Sequence, residues 1–461
     1  MSRFSGKTIA IVGLSIEGRD TLEYFRQKDC TLICVDQHET TQLQELARTY
    51  KNESTSFYFG NDYLKHMTNA DIIVCTPGMS PRTKALVTAK QQGVEVTSAT
   101  QLFFELCKAP IIGVTGTKGK GTTSTLIYEM LGKKYARVYL GGNVGKPLLS
   151  QADVIRRSDW VVLELSSFQL EYLRMSPHIA VVLRITQDHL ANFDKNATNF
   201  HPTRKAYVEA KTNIVRYQTK DDVVVVNDDD ETARSFVSLT PATILRFNRY
   251  QTTADSYVDH HTVFTQIGDE IKQICTKENI HVKGDHNLEN IAAATLAAIS
   301  AGVSYEDIVE AVKDFQGLEH RLEFVCTTGG VSYYNDSFST VPETTIAAIE
   351  SFEEPKVLIL GGSEKMSDFT EMGKKIATFN VIGVVVIGQM TKRITASLYK
   401  ASYKGKIITG CTNMHEIVDK ASSIAIPGSV VILSPSCASF DMFNNYKERG
   451  ALFKHEVLSL A

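Results

Sequence analysis

Ile111-Ile112-Gly113-Val114-Thr115-Gly116-Thr117-Lys118-Gly119-Lys120-Gly121-Thr122-Thr123 decides the fold. The apolar run Ile111, Ile112 and Val114 predicts a buried strand and the glycines a tight turn; after Lys120 comes a helix with Leu126, Ile127, Met130 and Leu131 on one face. Strand, turn and helix N-terminus in that order form an anion cradle. Backbone N–H groups without helical partners and the positive end of the helix dipole face the ligand, and glycine lets the main chain approach phosphate oxygens. Gly116, Thr117, Lys118, Gly119, Lys120, Gly121, Thr122 and Thr123 are the expected cradle, with Lys120 on the β- and γ-phosphates and Thr122 or Thr123 near magnesium. The spelling leaves the strict phosphate-loop motif twice: Val114 stands at the first glycine position, and Gly121 where Ser or Thr should follow the lysine. A glycine-rich surface turn ending in an exposed lysine is the competing reading, and the strand-then-helix context decides against it.

Around this stretch, 461 residues are too many for one core and suggest about three domains. Apolar content of 43% with 22% charged residues is that of an ordinary globular protein. A net charge of -3 leaves no basic footprint, so no nucleic-acid partner is expected. Eight cysteines without a CxxC pair read as reduced thiols of a cytoplasmic protein rather than a zinc site. No apolar run approaches about 18 residues, so neither export nor a membrane span is expected.

Residues 7–13 read as a buried first strand, followed by the turn Gly13-Leu14-Ser15-Ile16-Glu17-Gly18, a helix through Phe25, and a second strand ending in Asp36. This is a Rossmann-like start with an acid placed to hold a ribose hydroxyl, although Ser15 breaks the dinucleotide fingerprint. In the centre, Trp160 to Leu163 runs into Glu164 and Ser166-Ser167-Phe168-Gln169, and Ile179 to Ile185 runs into Asp188-His189. Parallel strands bind ligands at their carboxyl ends, so Glu164 and His189 are expected to flank the phosphate loop as magnesium ligands. A strand-edge carboxylate in water and a helix-capping histidine are their alternatives. Lys211 lies on an expected helix, where a lysine is ordinarily a solvated face residue, and the residues alone give it no role. Asn287 either caps the helix Ile291 to Ala298 or reaches an adenine ring. Phe315 to Arg321 reads as a linker, and Arg321 suits a γ-phosphate by its bidentate geometry. The fold class is α/β in three domains: a Rossmann-like N-terminal domain (1–106), a central phosphate-loop ATPase-type parallel-sheet domain (107–314) and a C-terminal Rossmann-like domain (315–461).

The series Gly13…Gly18, Thr76-Pro77-Gly78-Met79-Ser80-Pro81, Gly116-Thr117-Lys118-Gly119-Lys120, Gly141-Gly142-Asn143-Val144-Gly145, Glu164 to Gln169, Asp188-His189-Leu190, Ala210-Lys211, His286-Asn287…Asn290, His320-Arg321, Asn335-Asp336-Ser337 and Ser434 to Ser439 resembles the Mur ligase family nearly end to end. The resemblance implies an ATP-dependent enzyme of cytoplasmic peptidoglycan precursor synthesis that joins D-glutamate to UDP-N-acetylmuramoyl-L-alanine through an acyl phosphate. It implies ATP and two magnesium ions (Mg2+) as cofactors. Lys120, Glu164, His189 and Lys211 would be catalytic, and Thr122, Glu164, His189 and a carbamylated Lys211 would hold metal. Asn287, Asn290, Arg321 and Asp336 would contact ATP; Ile16, Asp36, Gly78, Asn143, Ser167 and His189 the UDP-sugar; Thr340, Lys365, Ser439 and Tyr446 the glutamate. The three domains would then serve UDP-sugar, ATP and amino acid in turn, in a monomer that binds neither nucleic acid nor membrane. Two positions depart from the family pattern. Gly121 matches the folylpolyglutamate synthase variant of the loop, and Phe338 stands where D-glutamate enzymes commonly carry lysine. An L-glutamate-adding muramyl ligase and a folylpolyglutamate synthase-like ligase are the alternatives, the latter lacking an N-terminal domain such as residues 1–106.

Overall fold

The computed structural model describes residues 3–143, 145–186, 199–249, 252–363 and 367–460. The chain forms two compact units, Met1–Ile274 with Glu289–Ala311, and Cys275–Leu288 with Val312–Ala461. Strands are numbered in chain order.

The first sheet comprises β1 (Lys7–Val12), β2 (Cys30–Asp36), β3 (Thr55–Phe59), β4 (Ile72–Cys75) and β5 (Glu95–Ser98), in the order β3-β2-β1-β4-β5 and parallel throughout. The second comprises β6 (Ile111–Thr115), β7 (Val138–Gly142), β8 (Trp160–Glu164), β9 (Ile179–Val182), β10 (Val223–Asn227), β11 (Thr243–Asn248), β12 (Ser256–Asp259), β13 (Thr262–Ile267) and β14 (Glu270–Thr276). Their order is β14-β13-β12-β11-β10-β9-β6-β8-β7. β6 is buried at every residue and lies between β8 and β9, so the chain reverses its direction of winding there. Such a switch point leaves a crevice outside the carboxyl ends of the strands. β1 occupies the corresponding place in the first sheet, between β2 and β4.

These two sheets share one core. Buried apolar side chains run from Ile9 and Phe25 through Leu102, Phe103 and Phe104 of the helix Ala99–Leu106 to Leu149, Leu163 and Phe236. Close packing of that kind transmits displacement instead of absorbing it.

In the second unit, β15 (Glu323–Thr328), β16 (Val331–Asn335), β17 (Lys356–Gly361), β18 (Val381–Ile387), β19 (Lys406–Thr409) and β20 (Val430–Leu433) are ordered β15-β16-β20-β17-β18-β19. Only the β15–β16 pair is antiparallel, and it carries a register irregularity between Phe324 and Cys326. The turns that follow β16, β17 and β20 thus gather at the carboxyl ends of adjacent parallel strands.

Candidate functional site

The phosphate-loop turn links β6 to the helix Lys120–Lys134, whose buried face holds Leu126, Ile127, Met130 and Leu131 as the spacing predicts. Gly119 is the residue before the helix, at φ +84, and a Cβ there would lie 2.4 Å from Asn290 Oδ1. Only glycine meets both the left-handed backbone and the close approach. Thr117 pins the turn: its N–H donates to Arg184 O at 2.9 Å, and its hydroxyl accepts from Thr186 N at 2.9 Å and meets Tyr207 OH at 3.0 Å. Thr123 is fully buried with its hydroxyl donating to Asn290 Oδ1 at 3.3 Å, whereas Thr122 is half-buried. Of the two threonines, Thr122 is the one accessible to a ligand, and Asn290 braces the turn from behind.

Lys120 Nζ donates to Gly116 O and Thr117 O, both at 3.1 Å. Lys211, on the helix Arg204–Arg216, is only 1% exposed and donates to Thr115 Oγ1 at 3.1 Å and to Gly116 O at 2.9 Å. Its ammonium also lies 4.9 Å from the centre of the Tyr207 ring, in the range of a cation–π contact. Far from being solvated, Lys211 shares the Gly116 carbonyl with the phosphate-loop lysine. Glu164 ends β8, 4% exposed, its Oε1 accepting from Asn143 Nδ2 at 2.7 Å while Asn143 N donates to Glu164 O at 2.9 Å.

A cavity of about 370 Å³ opens here. Gly78, Lys120, Asn143, Ser167 and Lys211 line it, so residues expected to serve the sugar nucleotide and residues expected to serve ATP share one space. Pro77, Ser166, Phe168, Asn199 and Tyr207 complete its wall, and the sequence reading gave none of the five a role at the site. Ser167 is buried, with its hydroxyl 3.0 Å from His201 Nε2, and His201 stacks on Phe168 at 4.9 Å between centroids.

Two sugar-nucleotide positions are placed apart from this cavity's lining. Ile16 is 74% exposed at the start of the helix Ile16–Phe25. Asp36 is buried and ties the turn after β1 to its own, Oδ2 accepting from Leu14 N at 2.7 Å and Oδ1 from His38 N at 2.8 Å. His189 lies outside the described residues.

In the second unit, Asp336 follows β16 and is buried, its Oδ2 accepting from Ser434 Oγ at 2.7 Å and its Oδ1 from Leu322 N at 3.2 Å. Burial pushes its carboxyl up to about 6, against the hydrogen bonds and the Arg321 charge, which act the other way. Arg321 stacks its guanidinium 4.0 Å from the Phe338 ring centre, and Phe338 meets Tyr446 edge-on at 4.9 Å. Phe338, at the position where the resemblance leads one to expect lysine, thus takes up the neighbouring arginine, where a second cation would be repelled. Ser439 is buried just after β20, Thr340 is half-buried after β16, and Tyr446 opens the helix Tyr446–Leu458, its carbonyl accepting from Ser337 Oγ at 2.8 Å. Lys365 lies outside the described residues. Asn287 lies in the first turn of the helix His286–Ser300 and donates to Lys283 O at 2.8 Å.

The sequence reading missed Arg449. It is 0% exposed and donates to Ser337 Oγ, Ser337 O and Cys437 O, while Nη1 has no hydrogen-bond partner among the described residues. Burial pushes the guanidinium down to about 10, so it stays a cation at neutral pH between the two turns. Nothing in the sequence distinguishes it from Lys447, Glu448, Lys454 and Glu456 on the same helix.

Among the described residues, no group of three or more His, Cys, Asp or Glu is gathered for a metal. Of the residues expected to hold magnesium, the described ones that offer an oxygen donor are Glu164, through its carboxylate, and Thr122, through its hydroxyl. That set fits an ion usually held by one or two carboxylates together with substrate phosphates.

Three family profiles match the chain: "Mur ligase MurD-like, N-terminal domain" at residues 7–98, "Mur ligase middle domain" at 114–298 and "Mur ligase, glutamate ligase domain" at 320–437. A protein from Acetivibrio thermocellus named UDP-N-acetylmuramoylalanine--D-glutamate ligase is 37% identical, over 99% of this chain and 97% of its own. One of the same name from Symbiobacterium thermophilum is 36% identical over 98% of each. Among solved structures, MurF from Acinetobacter baumannii superposes with a TM-score of 0.62 at 16% identity, covering 99% of this chain and 91% of that one. UDP-N-acetylmuramate-alanine ligase from Thermotoga maritima gives 0.61 at 17%, covering 99% and 100%. These two likenesses concern the fold.

Proposed function

The chain belongs to the Mur ligase family, and from that premise we propose that it is an ATP-dependent ligase joining D-glutamate to UDP-N-acetylmuramoyl-L-alanine in peptidoglycan precursor synthesis. The observation that carries this reading is the single cavity at the end of β6 lined by Lys120, Lys211, Asn143, Gly78 and Ser167. It supports bringing a triphosphate and a sugar-nucleotide acid together. The names of the relatives favour D-glutamate over an L-glutamate-adding enzyme, and the MurD-like match at residues 7–98 favours a muramyl substrate over folate.

The γ-phosphate of ATP lies on the Gly116–Thr123 turn, where the helix N-terminus and Lys120 stabilise its charge. Lys120 exchanges loop carbonyls for phosphate oxygens as ATP arrives. The lactoyl-alanine carboxylate attacks the γ-phosphorus; a C–O–P bond forms, the β–γ bridge breaks and ADP leaves. The amine of glutamate then attacks the acyl carbon, loses a proton, and the tetrahedral intermediate expels phosphate to leave the amide. Magnesium, when bound, neutralises charge on the transferring group. Thr122 and Glu164 would hold one ion; the second of two ions calls for His189 and for Lys211 as its carbamate, a carboxylate in place of a cation.

We assign Gly78, Asn143, Ser167, Ile16 and Asp36 to the sugar nucleotide, Asn287, Asn290, Arg321 and Asp336 to ATP, and Thr340, Lys365, Ser439 and Tyr446 to glutamate. Residues 1–106, 107–314 and 315–461 are the corresponding domains. No described helix is long and apolar enough to cross a membrane. A cytoplasmic, monomeric ligase is the reading that the family resemblance supports. Phosphate release with ATP, UDP-N-acetylmuramoyl-L-alanine and either D- or L-glutamate tests the reading. Turnover with D-glutamate is expected; turnover with L-glutamate alone, or only with tetrahydrofolate in place of the muramyl substrate, would overturn it.

A further inference from the structure

The helix Ser167–Tyr172 fastens both ligand turns of the first sheet to the central one. Tyr172 OH donates to Met79 O at 3.1 Å, and Glu171 pairs with Arg82. The third link is Gln169. Its Oε1 accepts from Ser166 N at 2.9 Å, closing a capping box, and its Nε2 donates to Glu17 Oε1 at 2.7 Å. Ser166, Ser167 and Phe168, the residues this box holds, line the cavity. Glu17 lies in the first turn of the helix Ile16–Phe25, where the Gly13–Gly18 stretch after β1 runs into it and a Cβ on Gly18 would lie 1.8 Å from Gly13 O. A turn closed that tightly moves as one piece. The second Glu17 oxygen, Oε2, is buried and has no hydrogen-bond partner among the described residues.

A buried carboxyl with half its bonding capacity unused is a poor device for stability, since an apolar side chain there would cost less. It is suited to orienting the Gln169 amide. With Oε1 committed to the cap, the Nε2 group has its direction set by Glu17; without Glu17 the amide is left with a buried donor unmet and the cap loosens.

We propose that Glu17 is a positioning residue: its hydrogen bond to Gln169 locks the Gly13–Gly18 turn to the Ser166–Phe168 wall, so that the sugar nucleotide held by the one is delivered in register to the other. The inference rests on the sugar-nucleotide reading of the first sheet given above. Burial pushes the Glu17 carboxyl up to about 7, and Asp20, one turn along the same helix and hydrogen-bonded to Ser150, acts in the same direction; the facing helix presents the neutral Gln169. An acid raised in the folded state holds its proton where the unfolded chain has lost it, so its contribution to stability declines as pH rises from about 4.5 through about 7.

The test is steady-state phosphate release by wild type, Glu17→Ala and Glu17→Gln, varying the sugar nucleotide and ATP separately. Glu17→Ala should raise the KM for UDP-N-acetylmuramoyl-L-alanine about five- to tenfold, the worth of one buried hydrogen bond, with little change in the KM for ATP. Glu17→Gln, whose carbonyl still accepts from Gln169, should restore most of the loss. An unchanged sugar-nucleotide KM in Glu17→Ala, or Glu17→Gln as impaired as Glu17→Ala, overturns the proposal. Wild type that turns over no muramyl substrate refutes the functional reading instead. The contact is then decided by thermal unfolding of Glu17→Ala, Gln169→Ala and the double variant: a double-variant loss smaller than the sum of the two single losses supports the hydrogen bond, and additive losses overturn it.

Discussion

Replacing Lys211 by alanine probes the part of the site that is least intuitive. The Lys211 and Lys120 nitrogens lie 2.9 and 3.1 Å from the same Gly116 oxygen. They are therefore within about 6 Å of each other, where two like charges at an effective dielectric of about 20 repel by roughly 3 kcal/mol. Converting Lys211 to a carbamate reverses that sign and offers a metal two oxygens, a swing of about 6 kcal/mol in favour of the modified residue. Lys211→Ala removes both the cation and any carboxylate formed from it. Loss of one preorganised charged contact costs about 10²–10³ in kcat, and turnover should fall by at least that factor. The assay is phosphate release with and without added formate or acetate, which can occupy the space left by the side chain. Partial recovery with the small carboxylate is the expected result. Wild-type rates in Lys211→Ala would remove Lys211 from the mechanism. An inactive variant that no carboxylate rescues, yet unfolds at the wild-type temperature, would refute the carbamate reasoning.

Glu164→Gln keeps the shape at the end of β8 and its contact with Asn143, yet removes the charge; kcat should fall about 10²–10³-fold, and a fully active variant would mean the metal ligand lies elsewhere. Gly119→Ala adds a Cβ 2.4 Å from Asn290 Oδ1 on a left-handed backbone and should cost about 1–3 kcal/mol of stability, read by thermal unfolding; an unaltered midpoint would contradict the close approach. Asp336 carries a folded-state carboxyl at about 6 against an ordinary 3.8, so its contribution falls as pH rises through that window. Asp336→Asn should therefore gain up to about 3 kcal/mol on wild type between pH 4 and 7 in chemical denaturation, and a gain independent of pH would refute the assignment.

The phosphate loop was legible because everything that defines it is local: an apolar run, glycines at the bend and a lysine at a helix start lie within thirteen consecutive residues. Lys211 was not legible from the residues themselves. A lysine on a helix looks solvated until the contacts with Thr115 and Gly116, nearly a hundred positions away, bury it, and only the family resemblance pointed to it. Arg449 and Glu17 were missed for the same reason, since each is a charged residue among others on a helix and acquires its role from partners distant in sequence. Asn290 and Asp36 were read as ligand contacts, and each also braces a turn distant in sequence, Asn290 accepting from Thr123 and Asp36 from Leu14. Phe338 shows how a departure from pattern is absorbed, for the ring stacks the guanidinium of Arg321 next to it.

Transfer of oxygen from the acid to phosphate tests the central claim most directly. UDP-N-acetylmuramoyl-L-alanine labelled with ¹⁸O in its alanyl carboxylate should, with ATP and D-glutamate, yield inorganic phosphate carrying one labelled oxygen, because the acyl phosphate hands over the oxygen that attacked the γ-phosphorus. Unlabelled phosphate formed together with the amide product would show that the carboxylate never bonded to phosphorus and would contradict the account.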